Sequence, residues 1–342
     1  MTTTLRLLLA LAIIATPLSG EVFAQSDNAT TTTASTTNAV EETAATGKWY
    51  RSEQISGNVQ VGDFVVGPGR SEITVSPGET IIQEITVTNR ISPNRVFNLE
   101  VEDITGSSDG SKSVELTGGE RGPYSIRDYI TFPEKSFTLD LGERARIPVT
   151  IKIPADAEPG GFYGSVLVST DRTPDADAEQ VSRSPIIARI GSLLFVRVRG
   201  DAEIAGKTDN IHVIGDKWWF EKGPIPLAIT YENTGSVHVN PYGEISVKNM
   251  FGEEVGFIEL EPWFVLPKSL RSRDLDWDRE FLLGRYTVTA KVNRGYDDIV
   301  DEVSTSFWVL PWKIVAGAFV IIFLLIFGLR AFFRTFQFSR KK

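Results

Sequence analysis

The residues best suited to chemistry in this chain are its two histidines, His212 and His238. A neutral imidazole is a common metal ligand, so two histidines placed side by side could share a metal ion. Each histidine lies between valine or isoleucine neighbours in a segment that alternates like a β-strand, and strand histidines more often face solvent. No His-Glu-x-x-His motif and no phosphate-binding loop is present. We therefore expect a protein without catalytic activity, metal or other cofactor.

Four acidic residues fall in one predicted loop between two strands: Asp171, Asp175, Asp177 and Glu179. Carboxylate oxygens are ligands that Ca²⁺ prefers. Their spacing is not that of an EF-hand loop, and acidic side chains at a hairpin tip also serve solubility. The sequence leaves open a weak calcium site or a plain solvated loop.

Three tryptophans are candidate ligand-facing aromatics, because flat rings can stack on sugar rings: Trp218, Trp219 and Trp263. Trp218 and Trp219 are adjacent, and adjacent residues of a strand face opposite sides of a sheet. Only one of the pair is then expected in a given surface patch. The alternative for all three is a place in a core or at a domain interface.

The composition limits the compartment and the partners. The chain has 342 residues, no cysteine and a formal net charge of −9. The lack of cysteine excludes disulfides, thiolate metal sites and a cysteine nucleophile. An exported protein without disulfides is more typical of a bacterial or archaeal envelope than of an animal extracellular space. The acidic charge repels phosphate backbones, so nucleic acid is not an expected partner.

Residues 1–24 are predicted to be a signal peptide. Arg6 provides the positive charge, and the apolar run that follows is too short to span a bilayer. Val22 and Ala24 are small residues at the positions that a signal peptidase reads, which predicts cleavage before Gln25. An uncleaved N-terminal anchor is the alternative.

Residues 307–329 are predicted to form a transmembrane helix. At ~1.5 Å per residue such a helix reaches about 34 Å, against a hydrocarbon core of about 30 Å. Trp308 and Trp312 are expected at one membrane interface, and Arg330 and Arg334 at the other, at the start of a basic tail (330–342). These charges predict a single-pass type I protein of the cell membrane, with its N-terminal bulk extracytoplasmic and its C-terminal tail cytoplasmic.

The remaining sequence predicts β-sandwiches. Residues 25–57 are a Thr/Ala-rich segment, predicted to be a disordered linker because it cannot bury enough apolar surface. After it, short alternating runs separated by Pro-Gly and Gly-Glu turns predict an all-β fold with two immunoglobulin-like antiparallel β-sandwiches, 58–200 and 201–306, plus one C-terminal transmembrane α-helix. A faint repeat supports two similar folds, since alternating strands end at both Asn89 and Asn233.

Several strings resemble a known bacterial family. They are VSPGET (75–80), TVTN (86–89) and IPADAEPGGFYG (153–164), which are similar to segments of the immunoglobulin-like domain of WxL-interacting proteins. The order of signal peptide, two sandwiches, membrane helix and basic tail is also similar. The resemblance implies a cell-surface binding protein whose first domain associates with peptidoglycan and whose second associates with a host or partner protein.

The leading hypothesis is a non-catalytic, membrane-anchored cell-envelope protein that presents β-sandwiches to cell-wall glycan or to a surface-protein partner. The alternative is a chaperone-like or structural assembly factor of a secretion or pilus system, whose strand edge receives a client. A long, unpaired and uncharged edge strand in the first sandwich would favour the alternative. A signalling receptor is disfavoured, because the tail is too short for a folded domain.

Overall fold

The computed structural model describes residues 47–172 and 186–335. The predicted signal peptide, the linker up to residue 46, the segment 173–185 and residues 336–342 lie outside the described residues. Strands make up most of the regular structure, and an α-helix follows them at the C-terminal end. The prediction of an all-β fold with one C-terminal helix is confirmed.

The first sandwich consists of two sheets. Its strands are β1 (Arg51–Gln54), β2 (Val65–Gly67), β3 (Arg70–Val75), β4 (Thr80–Thr88), β5 (Arg95–Thr105), β6 (Glu115–Leu116), β7 (Ile130–Thr131), β8 (Ser136–Leu139), β9 (Glu143–Lys152), β10 (Gly160–Arg172) and β11 (Ile186–Val198), with a 3₁₀ turn at Arg127–Tyr129. One sheet has the order β1-β9-β4-β2, with β7 beside β9. The other has the order β3-β11-β10-β5-β6, with β8 beside β5.

Alternation along the strands builds the core between these sheets. Every second residue of the middle of β9 is fully buried: Ala145, Ile147, Val149 and Ile151. From the facing sheet, the ring of Phe97 lies 5.2 Å from that of Phe64 and 5.6 Å from that of Phe137. Removal of these apolar faces from water holds the two sheets together.

The second sandwich is built in the same way. Its strands are β12 (Gly206–Val213), β13 (Trp219–Phe220), β14 (Ile225–Asn233), β15 (Tyr242–Asn249), β16 (Glu254–Leu260), β17 (Ser269–Trp277), β18 (Gly284–Asn293) and β19 (Val300–Val309). One sheet has the order β12-β14-β17 and the other β13-β19-β18-β15-β16. Its core is separate from the first, and at one end Trp277, Tyr286 and Phe307 fill it.

Asn89 and Asn233 occupy equivalent places, each at or just after the end of a strand. The Nδ2 group of Asn89 donates to the carbonyls of Ser92 and Leu139 at 2.7 and 2.8 Å, and its Oδ1 accepts the N–H of Ile91 at 3.0 Å. The Nδ2 group of Asn233 likewise donates to two backbone carbonyls at 2.8 and 2.9 Å, and its Oδ1 accepts the N–H two residues later at 2.9 Å. Both side chains are buried. The repeat in the sequence therefore marks one corner motif that is used twice.

The linker ends earlier than the predicted residue 57. Strand β1 pairs with β9 inside the predicted linker. The cause lies just before it, because Tyr50 is buried against Phe137 with ring centroids 5.4 Å apart, and its hydroxyl donates to the carbonyl of Thr138 at 2.7 Å. Lys48 also forms an ion pair with Glu143 at 2.6 Å. The Thr-rich composition stops at Thr46, and the next residues belong to the sandwich.

The C-terminal helix, α1 (Trp312–Thr335), begins and ends later than the predicted 307–329. Residues Phe307 to Val309 are the last of β19, and Pro311 separates strand from helix. The carbonyl of Pro311 accepts the N–H groups of Ile314 and Val315 at 2.9 and 3.1 Å, which starts the helix. The helix is long and apolar enough to cross a membrane. It continues past Arg330, so the first residues of the predicted tail are helical.

We predict that Asn89→Ala or Asn233→Ala lowers the free energy of unfolding by about 3 kcal/mol, because each removes three hydrogen bonds from a buried corner. Urea unfolding of the full chain in detergent, followed by tryptophan fluorescence, measures the loss.

Asn249→Ala is the matched control. Asn249 bonds two backbone N–H groups and the Glu253 carboxylate in an exposed turn, where water replaces the lost bonds. The expected loss is below about 1 kcal/mol. Equal losses in the buried and exposed corners would contradict the role assigned to burial.

Candidate functional site

The two sandwiches meet in a small cluster that we call the joint, formed by Ile104, Tyr163, Phe195, His238, Phe264 and Leu266. Tyr163 belongs to β10 and Phe195 to β11, whereas His238, Phe264 and Leu266 come from loops of the second sandwich. The rings of Phe195 and Phe264 meet edge to face, with centroids 5.0 Å apart. The joint therefore ties the hairpin of β10 and β11 to the second sandwich.

His238 is the polar centre of the joint. Its backbone N–H donates to the hydroxyl oxygen of Tyr163 at 2.6 Å, and its Nδ1 lies 3.1 Å from the same oxygen. Its Nε2 lies 3.5 Å from the carboxylate of Glu72 in β3. This arrangement suits a neutral ring in which the Tyr163 hydroxyl donates to Nδ1 and the Nε2–H faces Glu72.

The expectation that His238 faces solvent is wrong, since only 10% of its side chain is exposed. Its neighbours Val237 and Val239 are both buried. Val239 packs in the core of the second sandwich, whereas the ring of His238 contacts Tyr163 and Phe195 of the first. Alternation correctly directs His238 away from the core of the second sandwich, but the side it faces is covered by the first sandwich and not by solvent.

Burial keeps the joint neutral. Desolvation lowers the pKa of His238 below its usual value, and nearby Arg70 and Arg197 lower it further, while Glu72 opposes them. Burial also raises the pKa of the Tyr163 hydroxyl well above its usual range. A protonated tyrosine whose oxygen is bonded to His238 acts as an anchor between domains and is a poor nucleophile.

A cavity of ≈ 360 Å³ lies beside His238. The first sandwich contributes Glu72, Thr74 and Arg197 to its wall, and the second contributes Asn240 and Tyr296. The wall is mostly polar and carries both signs of charge. It is therefore a polar cleft beside the joint.

The loop after β5 also joins the sandwiches. The N–H groups of Leu270 and Ser272 in β17 donate to the carbonyls of Ser107 and Gly110 at 3.0 and 3.1 Å. This loop has the sequence GSSDG (106–110), which matches the Gly-x-Ser-x-Gly pattern of some hydrolases. That pattern requires a strand-to-helix turn, whereas here the segment runs between β5 and β6 and covers the edge of β17.

The structure does not bring the two histidines together. His212 lies in β12 with its Nδ1 3.1 Å from the Asn210 side chain, while His238 bonds Tyr163. In residues 47–172 and 186–335 no group of three or more His, Asp or Glu residues could hold a metal ion. The calcium candidates Asp175, Asp177 and Glu179, and the side chain of Asp171, lie outside the described residues.

The three candidate tryptophans separate into two classes. Trp263 is buried in the core of the second sandwich, so the prediction that it faces a ligand is wrong. Trp218 and Trp219 are exposed and line one surface hollow of ≈ 430 Å³. They share it because only Trp219 lies in a strand, so the opposite-sides rule does not apply to the pair. Trp308 and Trp312 flank the connection to α1, and Arg330 and Arg334 lie in its second half.

The first sandwich has edges that are only partly paired. The chain crosses from one sheet to the other at residues 68–69, so β2 covers only residues 86–88 of β4, and β3 covers only residues 193–198 of β11. In the described part of the chain, residues 80–85 of β4 and 186–192 of β11 therefore pair on one side alone. We call residues 186–192 the open edge.

The open edge presents free backbone groups and little charge. The N–H of Leu193 donates to the carbonyl of Gly69 on the outer side, so by alternation the N–H groups of Gly191 and Arg189 also point outward. Arg189 is its single charged residue, and the guanidinium lies 2.9 Å from Glu100 and 3.3 Å from Glu102. The usual protections of an edge, such as free lysines or proline, are missing from this segment.

No family model and no curated protein matches this chain. Among solved structures, the Class 5 fimbriae chaperone CfaA matches with a TM-score of 0.37 and 12% identity over 72% of this chain and 100% of that chain. A chain of the CsuC-CsuE chaperone-tip adhesion subunit complex of Acinetobacter baumannii gives 0.35 and 11%, over 71% and 98%. The Pseudomonas aeruginosa CupB2 chaperone gives 0.30 and 10%, over 72% and 100%. TM-scores this low establish neither a shared family nor a shared function, and the resemblance to WxL-interacting proteins stays a prediction.

We predict that mild acid weakens the joint. Because the folded-state pKa of His238 lies below its unfolded value of 6.5, the unfolded chain binds the proton first. The contribution of the neutral ring is therefore present above pH 6.5 and is lost as the pH falls below that value towards the folded-state pKa. Thermal unfolding of the full chain between about pH 7.5 and about pH 5.5 should show a falling midpoint, and His238→Gln should flatten this dependence.

NMR provides the direct check, because the chain has only two histidines and His212→Gln identifies which imidazole signal belongs to His238. A His238 signal that titrates at or above pH 6.5 would contradict the assigned neutral state.

Proposed function

We propose that this chain is a non-catalytic, membrane-anchored protein of the cell envelope that holds a protein partner by strand addition at the open edge. The carrying observation is the unpaired outer side of β11, with the N–H groups of Arg189 and Gly191 directed away from β10. An extended segment of a partner can continue the sheet there, with backbone hydrogen bonds supplying affinity.

The membrane anchor is α1, which follows β19 after only Leu310 and Pro311. We propose that the sandwiches lie outside the cytoplasm and that the basic tail lies inside it, as the arrangement of charges indicates. In this orientation the open edge is available to proteins of the envelope.

The open edge is favoured over the other unpaired segment, residues 80–85 of β4. Each segment carries one charge in an ion pair, Glu84 with Arg51 in that segment, so charge does not separate them and the length of the strand pair does. The open edge continues into the β10–β11 hairpin, the longest strand pair of the fold. Its one charge, Arg189, is balanced by Glu100 and Glu102.

A protein ligand is better supported than cell-wall glycan. Of the three candidate stacking residues, Trp263 is buried. Trp218 and Trp219 lie next to the start of α1, where Lys313 forms an ion pair with Glu221 of the same loop at 2.9 Å. An open edge whose single charge is balanced favours the chaperone-like assembly factor over the surface-protein binder, and the identity of the partner decides between these two roles.

We predict that a photo-crosslinking amino acid at position 189 captures a partner in cells expressing the full chain. The same residue at position 98 should not, because Asn98 is exposed but its strand is paired on both sides. Position 82, on the unpaired part of β4, tests the competing edge. Adducts at position 82 and not at 189 would overturn the assignment of the edge.

The identified partner is then tested for binding to Arg189→Pro and Arg189→Ala. Both remove the ion pair, but only proline removes the outward N–H and leaves the partner carbonyl unsatisfied, at a cost of about 1–3 kcal/mol or roughly 5- to 150-fold in affinity. The alanine variant should bind nearly as well as the native chain. Equal binding by both variants would show that the partner does not pair with β11.

A further inference from the structure

Three loops lie at the end of the second sandwich from which α1 leaves. β19 ends at Val309, which is in register with Gly284 at the start of β18 and with Phe220 in β13. Asn249 at the end of β15 is opposite Tyr286, near the start of β18. The loops 214–224, 250–253 and 278–283 therefore share one end of the sandwich with the start of the helix.

These loops expose large apolar side chains. Phe251, Trp218 and Phe281 are 79%, 72% and 67% exposed. We call the whole set the apolar collar: Trp218, Trp219, Met250, Phe251, Phe281 and Leu283. The sandwich core is already closed at this end by Trp277, Tyr286 and Phe307, so the collar is not needed to fill it.

The collar is held in place by contacts between the loops and the strands of the second sandwich. Met250 packs close to Gly284, and the Arg279 guanidinium donates to the carbonyl of Val255 at 2.7 Å. The N–H of Trp308 donates to the carbonyl of Trp218 at 2.9 Å. An exposed apolar patch with a fixed shape marks an interaction surface.

We propose that the apolar collar inserts into the headgroup and acyl boundary of the lipid bilayer that α1 crosses. The collar is continuous with Leu310 and Trp312, so a bilayer around the helix contacts these loops first. Tryptophan favours that boundary, where its apolar body and its polar N–H are both accommodated. Phenylalanine is stabilised there by burial of its apolar ring.

Electrostatic attraction to lipid headgroups does not account for binding of the collar to the membrane, because basic and acidic residues are interspersed in the loops and at their borders. They are Lys217, Lys222, Arg279, Arg285, Asp216, Glu221, Glu253, Asp278 and Glu280. Burial of the rings supplies the affinity, and the second sandwich is thereby held at a fixed tilt against the membrane. The inference rests on the proposed membrane anchor but not on strand addition.

The cysteine-free chain allows a direct test, since single labels carry no background. Phe251→Cys and Phe281→Cys are labelled with a fluorophore, and each full chain is reconstituted into phosphatidylcholine vesicles that contain nitroxide-labelled lipid. Val300→Cys is the matched control, because Val300 is 56% exposed at the far end of β19, about 30 Å away. Gly317→Cys reports on α1, where added atoms meet no neighbour.

We expect labels at 251 and 281 to be quenched several-fold more than the label at 300, and the label at 317 to be quenched strongly. Quenching at 317 without quenching at 251 and 281 would overturn the collar and leave the anchor intact. No quenching at 317 would overturn both. A label at 251 that is shielded from the nitroxide lipid at high protein density, and loses this shielding when the protein is diluted in lipid, would assign the surface to a second copy of the chain. That result would also overturn the proposal.

A variant separates insertion from mere proximity. Phe251→Asp should lower the quenching of a label at 281 towards the level seen at 300, because a carboxylate at the boundary resists insertion. Phe251→Leu keeps an apolar side chain and should preserve the quenching. Equal quenching in both variants would show that the loops lie near the bilayer without entering it.

Discussion

The hydrogen bond between the two sandwiches at Tyr163 is the contact on which the rest of the structure depends. The tyrosine ring is buried with β10 of the first sandwich, while its oxygen accepts the backbone N–H of His238 from the second. With no cysteine in the chain, this relation is set by noncovalent contacts alone. Close packing supports it, since a Cβ at Gly106 would overlap the side chain of Ser269.

The sheet edges of the molecule are covered to different extents. The edge of β17 is covered where Leu270 and Ser272 bond to the 106–110 loop. Among the residues that the structure describes, the outer side of β11 is covered by β3 along one half and left open along the other. An unprotected edge next to a covered one is a liability unless it is used, because free backbone groups pair readily with other chains.

Sequence patterns predicted the parts of the fold that depend on local period. Alternation predicted the sandwiches, uninterrupted apolar length predicted α1, and the repeat at Asn89 and Asn233 indicated two similar folds. Residues whose place depends on tertiary contact were missed. The sequence predicts a solvent-facing His238 and does not decide between a ligand-facing place and a core place for Trp263, because burial of both is decided by which domain or sheet packs over them.

The predicted end of the linker and the predicted start of the transmembrane helix were wrong for a related reason. Tyr50 folds against Phe137, which lies far along the chain, so local composition placed it in the linker. Phe307 and Trp308 are as apolar as the helix that follows, and only Pro311 marks the change from strand to helix. The open edge left no local signal either, because it results from the chain crossing between sheets at residues 68–69.

β11 serves two purposes, with Phe195 in the joint and Arg189 at the edge, about 20 Å apart along one strand. A partner strand added at Arg189 would thus be joined through the backbone of β11 to the contact that orients the second sandwich. Loosening the joint would change the direction in which the edge faces while leaving its capacity to pair intact.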